Sequence, residues 1–134
     1  MEINNSFSPI DIAMSGLRAQ NKNMEAISSN IANMRTTDAG NGEPYRRIEA
    51  KMRATNNGIS CVELEEITQD MSDFNELLDP GHPDADENGY LKMPNVNLPM
   101  ELINMNQAKK LYQANAAVLK RYQQMAETTL ELLR

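Results

Sequence analysis

The chain has 134 residues, a mass of 15.1 kDa and a formal net charge of −6, and its length fits one domain. Four Tyr, two Phe and no Trp supply few large rigid side chains, and ten Met residues specify packing loosely. We therefore expect a weak core that a partner completes. No basic stripe with interleaved aromatic residues is present, so nucleic acid is not an expected partner. The single Cys61 excludes an internal disulfide, and we expect it to be a small buried side chain on a strand.

A long helix is predicted near the start of the chain. Ser8 is a good N-cap residue, Pro9 suits the first helical position, and turn-forming residues follow from Thr36. Between them, mostly apolar residues recur at alternating spacings of three and four up to Met34, so that they share one face of the helix. This spacing is typical of a coiled-coil seam. This seam comprises Ile10, Ala13, Leu17, Gln20, Met24, Ile27, Ile31 and Met34.

The middle of the chain changes to a period of two residues. Charged and apolar residues alternate over 47–54 and again over 59–67, with the turn formers Asn56–Gly58 between them. This pattern predicts a β-hairpin whose basic first strand faces an acidic second strand. Residues 70–98 are rich in Asp, Asn, Gly and Pro, and we expect them to form an irregular loop. The segment 62–97 holds ten acidic residues and one Lys, which indicates mainly a solvated surface.

A second long helix is predicted from about Pro99 to the last residue. Pro94 and Pro99 bracket its entry, and Glu101 falls in its first turn, where a negative charge is favourable. Its seam has the same 3.5-residue repeat, with Lys109 and Gln123 filling two gaps. The seam comprises Leu102, Met105, Tyr112, Ala116, Leu119, Ala126, Leu130 and Leu133.

These elements predict a mainly α fold. Long N- and C-terminal helices pack as a coiled-coil-like pair, with a small β-hairpin and an irregular acidic loop between them. One structural unit is expected, with 1–36 as the N-terminal helix, 37–98 as the hairpin and loop, and 99–134 as the C-terminal helix. Apolar stripes can also be simply the inner faces of globular helices. The helices can pair within one chain or with those of neighbouring subunits.

Enzyme chemistry finds little support in the sequence. His82 lies between Gly81 and Pro83, without a nucleophile or a metal ligand at a familiar spacing. The glycines lack the spacing of a phosphate-binding loop. We therefore expect no catalytic residue, no metal site and no cofactor.

One local motif leaves an alternative open. Asp84, Asp86, Asn88 and Gly89 match the first, third, fifth and sixth positions of a calcium-binding EF-hand loop. The twelfth position is Asn95 instead of a bidentate Glu, and the prolines at 80 and 83 block a preceding helix. An acidic turn bonded through its own Asp and Asn side chains is the favoured interpretation. The alternative is a calcium-binding coiled-coil interaction module that uses the Asp84–Asn88 loop.

A family resemblance rests on three motifs. Helix one carries Ser-Asn-Ile-Ala-Asn at 29–33 followed by Thr36 and Thr37, and helix two carries Tyr-Gln-Ala-Asn at 112–115. Both resemble the terminal motifs of bacterial flagellar rod, hook and hook-associated proteins. The loop between them is similar to the hallmark of one proximal-rod member of that family. This hallmark loop comprises Asp79, Pro80, Gly81, His82, Pro83, Asp84, Ala85, Asp86, Glu87, Asn88, Gly89 and Tyr90, then Lys92, Met93, Pro94, Asn95 and Val96.

The resemblance implies a structural subunit of a helical drive shaft that transmits torque and surrounds part of an export channel. Expected partners are copies of the chain, other rod proteins, the rod-to-MS-ring adaptor and the flagellar type III export apparatus. The expected location is the periplasmic rod of the basal body, reached without a cleaved signal peptide and without direct membrane insertion. Residues expected to pack within and between subunits are Leu17, Met24, Ile27, Asn30, Ile31, Asn33, Tyr112, Asn115, Leu119 and Leu133. Among them, the three Asn side chains are expected to hydrogen-bond across the helices and fix their register.

Overall fold

The computed structural model describes residues 9–55 and 61–133. The expected N-cap at Ser8 and the expected turn at 56–58 lie outside these residues. The described part contains two long helices and two separate two-stranded antiparallel sheets. In chain order the elements are α1 (Pro9–Ala32), β1 (Ile48–Ala54), β2 (Val62–Gln69), β3 (Asn75–Leu78), β4 (Tyr90–Met93) and α2 (Leu98–Leu132). The mainly α fold with a hairpin is therefore confirmed, although α1 ends two residues before the expected Met34.

The two helices run antiparallel against each other. Asn30 near the end of α1 contacts Glu101 in the first turn of α2, and Gly16 lies against Asn115. The two contacts are separated by 14 residues along α1 and by 14 residues along α2. By the same spacing, Pro9 lies level with position 122. The last part of α2, residues 122–133, therefore extends past the start of α1, and we call it the overhang. Its residues are all exposed.

The first hairpin forms as the alternating pattern predicts. Strands β1 and β2 are antiparallel with a register shift between Lys51 and Met52, and the strands begin and end within three residues of expectation. Basic β1 faces acidic β2, with Lys51 lying 3.5 Å from Glu66. The sheet packs along α1, where the Val62 N–H donates to the Ser15 hydroxyl at 3.1 Å. A two-stranded ribbon thus gains the supporting surface that it needs.

The expected irregular loop over 70–98 is wrong in part, because it contains a second hairpin. Strands β3 and β4 pair from Asn75↔Met93 to Leu78↔Tyr90. Their connection closes where the Asp79 N–H donates to the Gly89 carbonyl at 2.9 Å. Each strand has only four residues, too few for a period of two to be visible beside so many turn formers. Leu91 is the buried anchor of this hairpin.

The core is made mainly of small side chains, as the composition predicts. Its buried apolar residues in the helices are Ala13, Ala19, Ala26, Ile27 and Ala108. Small side chains allow close backbone approach, and a Cβ added at Gly16 would lie 2.6 Å from the Asn115 amide nitrogen. Cys61 is buried as expected, but it lies just before β2 and not in the strand.

The predicted seam of α2 is displaced at its start. Leu102 is 48% exposed, whereas Glu101 is 1% exposed and occupies the inner face. Ala108 is buried where the prediction used Lys109. The hydrophobic pattern assigns a charged residue to the surface, so it chose the neighbouring Leu over Glu101. Farther along, Leu119 is half-buried on the expected face.

Candidate assembly interface and its polar junction

Asn30 is the centre of a buried polar junction where α1, β1 and α2 meet. Its side chain is fully buried. The carboxamide nitrogen donates to the Ile48 carbonyl at 2.9 Å, and its oxygen accepts from the Ile48 N–H at 2.9 Å. The same nitrogen donates to a carboxylate oxygen of Glu101 at 3.2 Å. One side chain therefore ties the start of β1 to both helices.

Glu101 and Arg47 form a buried ion pair in this junction. The Arg47 Nε donates to Glu101 Oε1 at 2.6 Å, and the two side chains are 17% and 1% exposed. Burial lowers the pKa of the Arg47 guanidinium, but hydrogen bonds and charge from Glu49 and Glu101 outweigh burial and raise it above its ordinary value. Arg47 therefore keeps its charge, and Glu101 is compensated inside the protein. The expected first-turn position of Glu101 is confirmed, with a buried partner in addition to the helix dipole.

Asn95 of the hallmark loop extends the junction towards the second hairpin. Its carboxamide oxygen accepts from the Arg47 N–H at 2.8 Å, and its nitrogen donates to the Asp70 carbonyl at 3.0 Å. The pKa of the Asp70 carboxyl is lowered mainly by hydrogen bonds from Ser72, and additionally by Arg47, 3.5 Å away. The hallmark loop is therefore connected to the helix junction through its last residues.

The three asparagines that were expected to hydrogen-bond across the helices, Asn30, Asn33 and Asn115, have different partners. Asn33 donates to the Ser29 carbonyl at 2.9 Å and accepts from the Thr36 hydroxyl at 3.3 Å, so these bonds are local, where a cross-helix bond was expected. Asn33 directly follows α1, where the last carbonyl groups of the helix lie within reach of its side chain. Asn115 faces Gly16 across the helices. Among these three asparagines, and within the part of the chain that the structure describes, only Asn30 donates to a side chain of the other helix.

The other predicted packing residues divide by depth. Ile27 is buried at 5% exposure, whereas Tyr112 is 38% exposed and Leu133 is 81% exposed. The half-buried members of the set are Leu17, Met24, Ile31, Asn33, Asn115 and Leu119. The predicted residues therefore lie along the contact between α1 and α2. They are buried near the polar junction and exposed at the end of α2.

The tip of the hallmark loop is a self-bonded acidic turn. The Asp86 carboxylate accepts from the backbone N–H groups of Asn88 at 2.9 Å and Tyr90 at 2.8 Å. Gly89 has a φ of +82°, and a Cβ there would lie 2.9 Å from Pro80 Cγ. These bonds match the favoured interpretation of the motif, a turn bonded through its own side chains. They occupy the Asp86 carboxylate, which in an EF-hand would face the calcium ion. Within residues 9–55 and 61–133, no group of three or more His, Cys, Asp or Glu side chains could hold a metal ion.

The rest of the hallmark loop lies mostly at the surface. Asp84 is exposed and accepts from the Thr37 hydroxyl at 2.7 Å, which joins the loop to the segment after α1. Pro94 is fully buried, and the Asn75 amide donates to its carbonyl at 3.2 Å. The exposed members are Pro80, Gly81, Pro83, Asp84, Asp86, Glu87, Asn88, Tyr90 and Lys92. The half-buried members are Asp79, His82, Ala85, Met93, Asn95 and Val96.

Sequence reasoning missed the Arg47–Glu101 pair and Tyr45. Arg47 was expected on the exposed face of a strand, but it lies just before β1, where the chain crosses the helix ends. The Tyr45 hydroxyl donates to the Asn30 carboxamide oxygen at 3.1 Å. A detectable signal was present for Glu101, since it lies four residues before Met105 on the α2 seam.

Comparison with known proteins defines the class of this chain. A sequence model described as "Flagella basal body rod protein" matches residues 10–39, and one described as "Flagellar basal body rod FlgEFG protein C-terminal" matches residues 87–132. These matches cover nearly all of both helices and the second half of the hallmark loop, from Glu87 onwards. In the described residues, no helix combines the length and apolar character that crossing a membrane requires.

Curated relatives narrow the class further. A flagellar basal-body rod protein FlgC of Agrobacterium fabrum is 38% identical, covering 92% of this chain and 91% of its own. Proteins of the same name from Bacillus subtilis and Salmonella typhimurium are 34% and 35% identical, covering 95% and 91% of this chain and 97% and 93% of their own. The chain belongs to the FlgC family of flagellar basal-body rod proteins. It is a structural rod subunit and not an enzyme.

Proposed function

We propose that this chain builds the proximal rod of the flagellar basal body by stacking helically with copies of itself. The names of its relatives and the coverage of more than nine-tenths of the chain support a place in the basal-body rod. In such a rod, the subunit transmits torque and its terminal helices surround part of the export channel. The family resemblance also supports a periplasmic position that is reached through the type III export apparatus without a cleaved signal. Neighbouring rod proteins and the rod-to-MS-ring adaptor are the further partners.

One observation carries the assembly part of this proposal. Leu130 is 68% exposed and Leu133 is 81% exposed on the overhang, on the same side of α2 that packs against α1. Burying such apolar surface contributes about 25 cal/mol per Å². A helix that continues its packing face past its own partner is suited to a partner from another subunit. Coiled-coil-like packing within and between subunits follows from this continuity.

The test removes apolar surface from the overhang only. Leu130→Asp combined with Leu133→Asp should eliminate the chain from purified basal bodies and abolish swimming in a strain that lacks its own copy. Both side chains are exposed, so circular dichroism of the purified variant should match that of the unmodified chain. Thr128→Asp, at an exposed position of the same segment, is the matched control and should assemble normally. Normal swimming of the double variant would refute the proposal.

A further inference from the structure

The second hairpin is attached to the rest of the protein in a different way from the first. We call residues 75–93, which comprise β3, β4 and their connection, the lobe. Among the described residues, no Cα atom of β3 or β4 lies within 8 Å of a Cα atom in either helix or in the first hairpin. The lobe therefore lacks the helix surface that supports β1 and β2, and a two-stranded ribbon is only marginally stable alone.

Polar contacts fix the base of the lobe to the segment that enters β1. Asn95 accepts from the Arg47 N–H at 2.8 Å and donates to the Ser72 hydroxyl at 2.9 Å. The Arg46 guanidinium donates to the Ser72 carbonyl at 3.0 Å and lies 4.1 Å from the centre of the Phe74 ring. Ser72 and Phe74 lie just before β3, and Asn95 lies just after β4. Both ends of the lobe are therefore held at several points.

The far end of the lobe is held much more weakly. The Thr37 hydroxyl donates to the Asp84 carboxylate at 2.7 Å, in an exposed bond that we call the latch. Within residues 9–55 and 61–133, no other hydrogen bond or ion pair links residues 76–92 to a residue outside the lobe. Water competes for both partners of an exposed bond, so the latch breaks at little cost in free energy.

A cleft of about 410 Å³ lies between the lobe and the segment 37–44. Its buried lining residues are Pro44 from the segment and Leu91 from the lobe. Asp38 contributes a negative charge from the segment, and the lobe contributes three acidic residues and Lys92. The three acidic residues of the lobe are Glu76, Asp84 and Asp86. Like charges on the two sides of the cleft repel each other, and this repulsion opposes the latch.

We propose that the lobe is hinged at its base and swings away from the segment 37–44 when the latch breaks. Charge repulsion across the cleft favours the open position. Pro44 and Leu91 limit the swing, because opening exposes apolar surface that is buried when the latch is closed. One chain can therefore present the lobe in two orientations, which suits a subunit with unlike neighbours. The inference goes beyond the proposed function and does not depend on it, because the motion belongs to the free chain.

Spin labels on the full chain measure the two orientations. The labels are attached at Ala39→Cys and Glu87→Cys, two exposed positions on either side of the latch, in a Cys61→Ser background. We expect a short and a long distance between the labels. Thr37→Val keeps the shape of the side chain but removes the donor of the latch. It should raise the ratio of the long to the short distance about three- to tenfold.

Thr36→Val provides the matched control. The Thr36 hydroxyl donates to Asn33 and not to the lobe, so the same chemical change there should leave the ratio of distances unchanged. Circular dichroism should show that both variants keep their helices. A ratio that Thr37→Val does not change, or an equal change in Thr36→Val, would overturn the hinge.

Salt tests the contribution of charge in the unmodified latch. The screening length grows from about 3 Å at 1 M salt to about 30 Å at 0.01 M, so low salt should favour the long distance. Asp38→Asn removes the charge from one side of the cleft, while its carboxamide oxygen can still accept from the N–H groups of Gly40 and Gly42. This variant should respond less to salt, whereas Glu43→Gln, exposed on the same segment but outside the cleft, should respond normally. An absent salt response, or an unchanged one in Asp38→Asn, would refute opening by charge repulsion.

Discussion

The carboxylate of Glu101 accepts a 2.6 Å hydrogen bond from the Nε of Arg47, and this contact joins the first turn of α2 to the segment that enters β1. The Glu101 side chain is nearly inaccessible to solvent, and the Asn30 amide donates to its second carboxylate oxygen. The stability of the helix pair should therefore depend on this one acidic residue.

Replacing Glu101 by Gln should destabilise the protein strongly. The substitution keeps the shape of the side chain but leaves Arg47 without its buried counter-charge, a loss of about 3–5 kcal/mol for pairs of this kind. The unfolding midpoint in urea, followed by circular dichroism, measures the effect. Glu127→Gln, at an exposed position of the same helix, is the control and should change the midpoint little. Equal midpoints for the two variants would contradict the role assigned to Glu101.

Gly16→Ala should change the stability of the protein in opposite directions, depending on whether residue 115 is Asn or Ala. Gly16→Ala gains about 1 kcal/mol of helix propensity, but its Cβ would lie 2.6 Å from the Asn115 amide nitrogen. We expect the single change to destabilise the protein and the same change to stabilise it in an Asn115→Ala background. Urea unfolding of the four proteins gives the coupling free energy. A stabilising Gly16→Ala in both backgrounds would show that the helices do not approach so closely.

Gly89 should be irreplaceable, while Gly81 in the same loop should tolerate substitution. A side chain at Gly89 meets both a φ of +82° and Pro80 Cγ at 2.9 Å, so Gly89→Ala should cost about 1–3 kcal/mol. Gly81→Ala places its Cβ 3.7 Å from the nearest atom, an ordinary contact, and provides the control. Thermal unfolding of both variants decides the point. Comparable melting temperatures would mean that the closure of the second hairpin is not constrained as described.

Low pH should reduce the free energy of unfolding, in part because the Asp70 carboxylate becomes protonated. The folded-state pKa of this carboxyl is lowered, so its stabilising contribution is present above the unfolded value of about 3.9 and is lost as the pH falls through the folded value. Asp70→Asn should therefore reduce stability at neutral pH and flatten the loss of stability below about pH 4. Urea midpoints from pH 2 to 7 measure this. Asp73→Asn, an exposed position, is the control, and identical pH profiles for both variants would exclude the contribution of Asp70.

The parts of the fold that the sequence predicts are those in which one strong period runs over many residues. The 3.5-residue repeats locate both helices, and alternation over 47–54 locates the first hairpin. The second hairpin escaped detection because Asn75–Leu78 and Tyr90–Met93 are short and separated by eleven residues of turn formers. The polar junction escaped because hydropathy assigns Arg47 and Glu101 to the surface, whereas compensation between opposite charges is what permits their burial.

Asn30 holds the backbone of Ile48 in the way that a neighbouring strand would, offering one acceptor to its N–H and one donor to its carbonyl. Its two terminal groups cannot be exchanged, because the donor also faces the Glu101 carboxylate. Deamidation, which turns this side chain into Asp with an oxygen in place of the nitrogen, would bring a second anion against Glu101 and an acceptor against a carbonyl. Ageing chemistry at a single amide would thus separate the hairpin from both helices while leaving the shape of the residue unchanged.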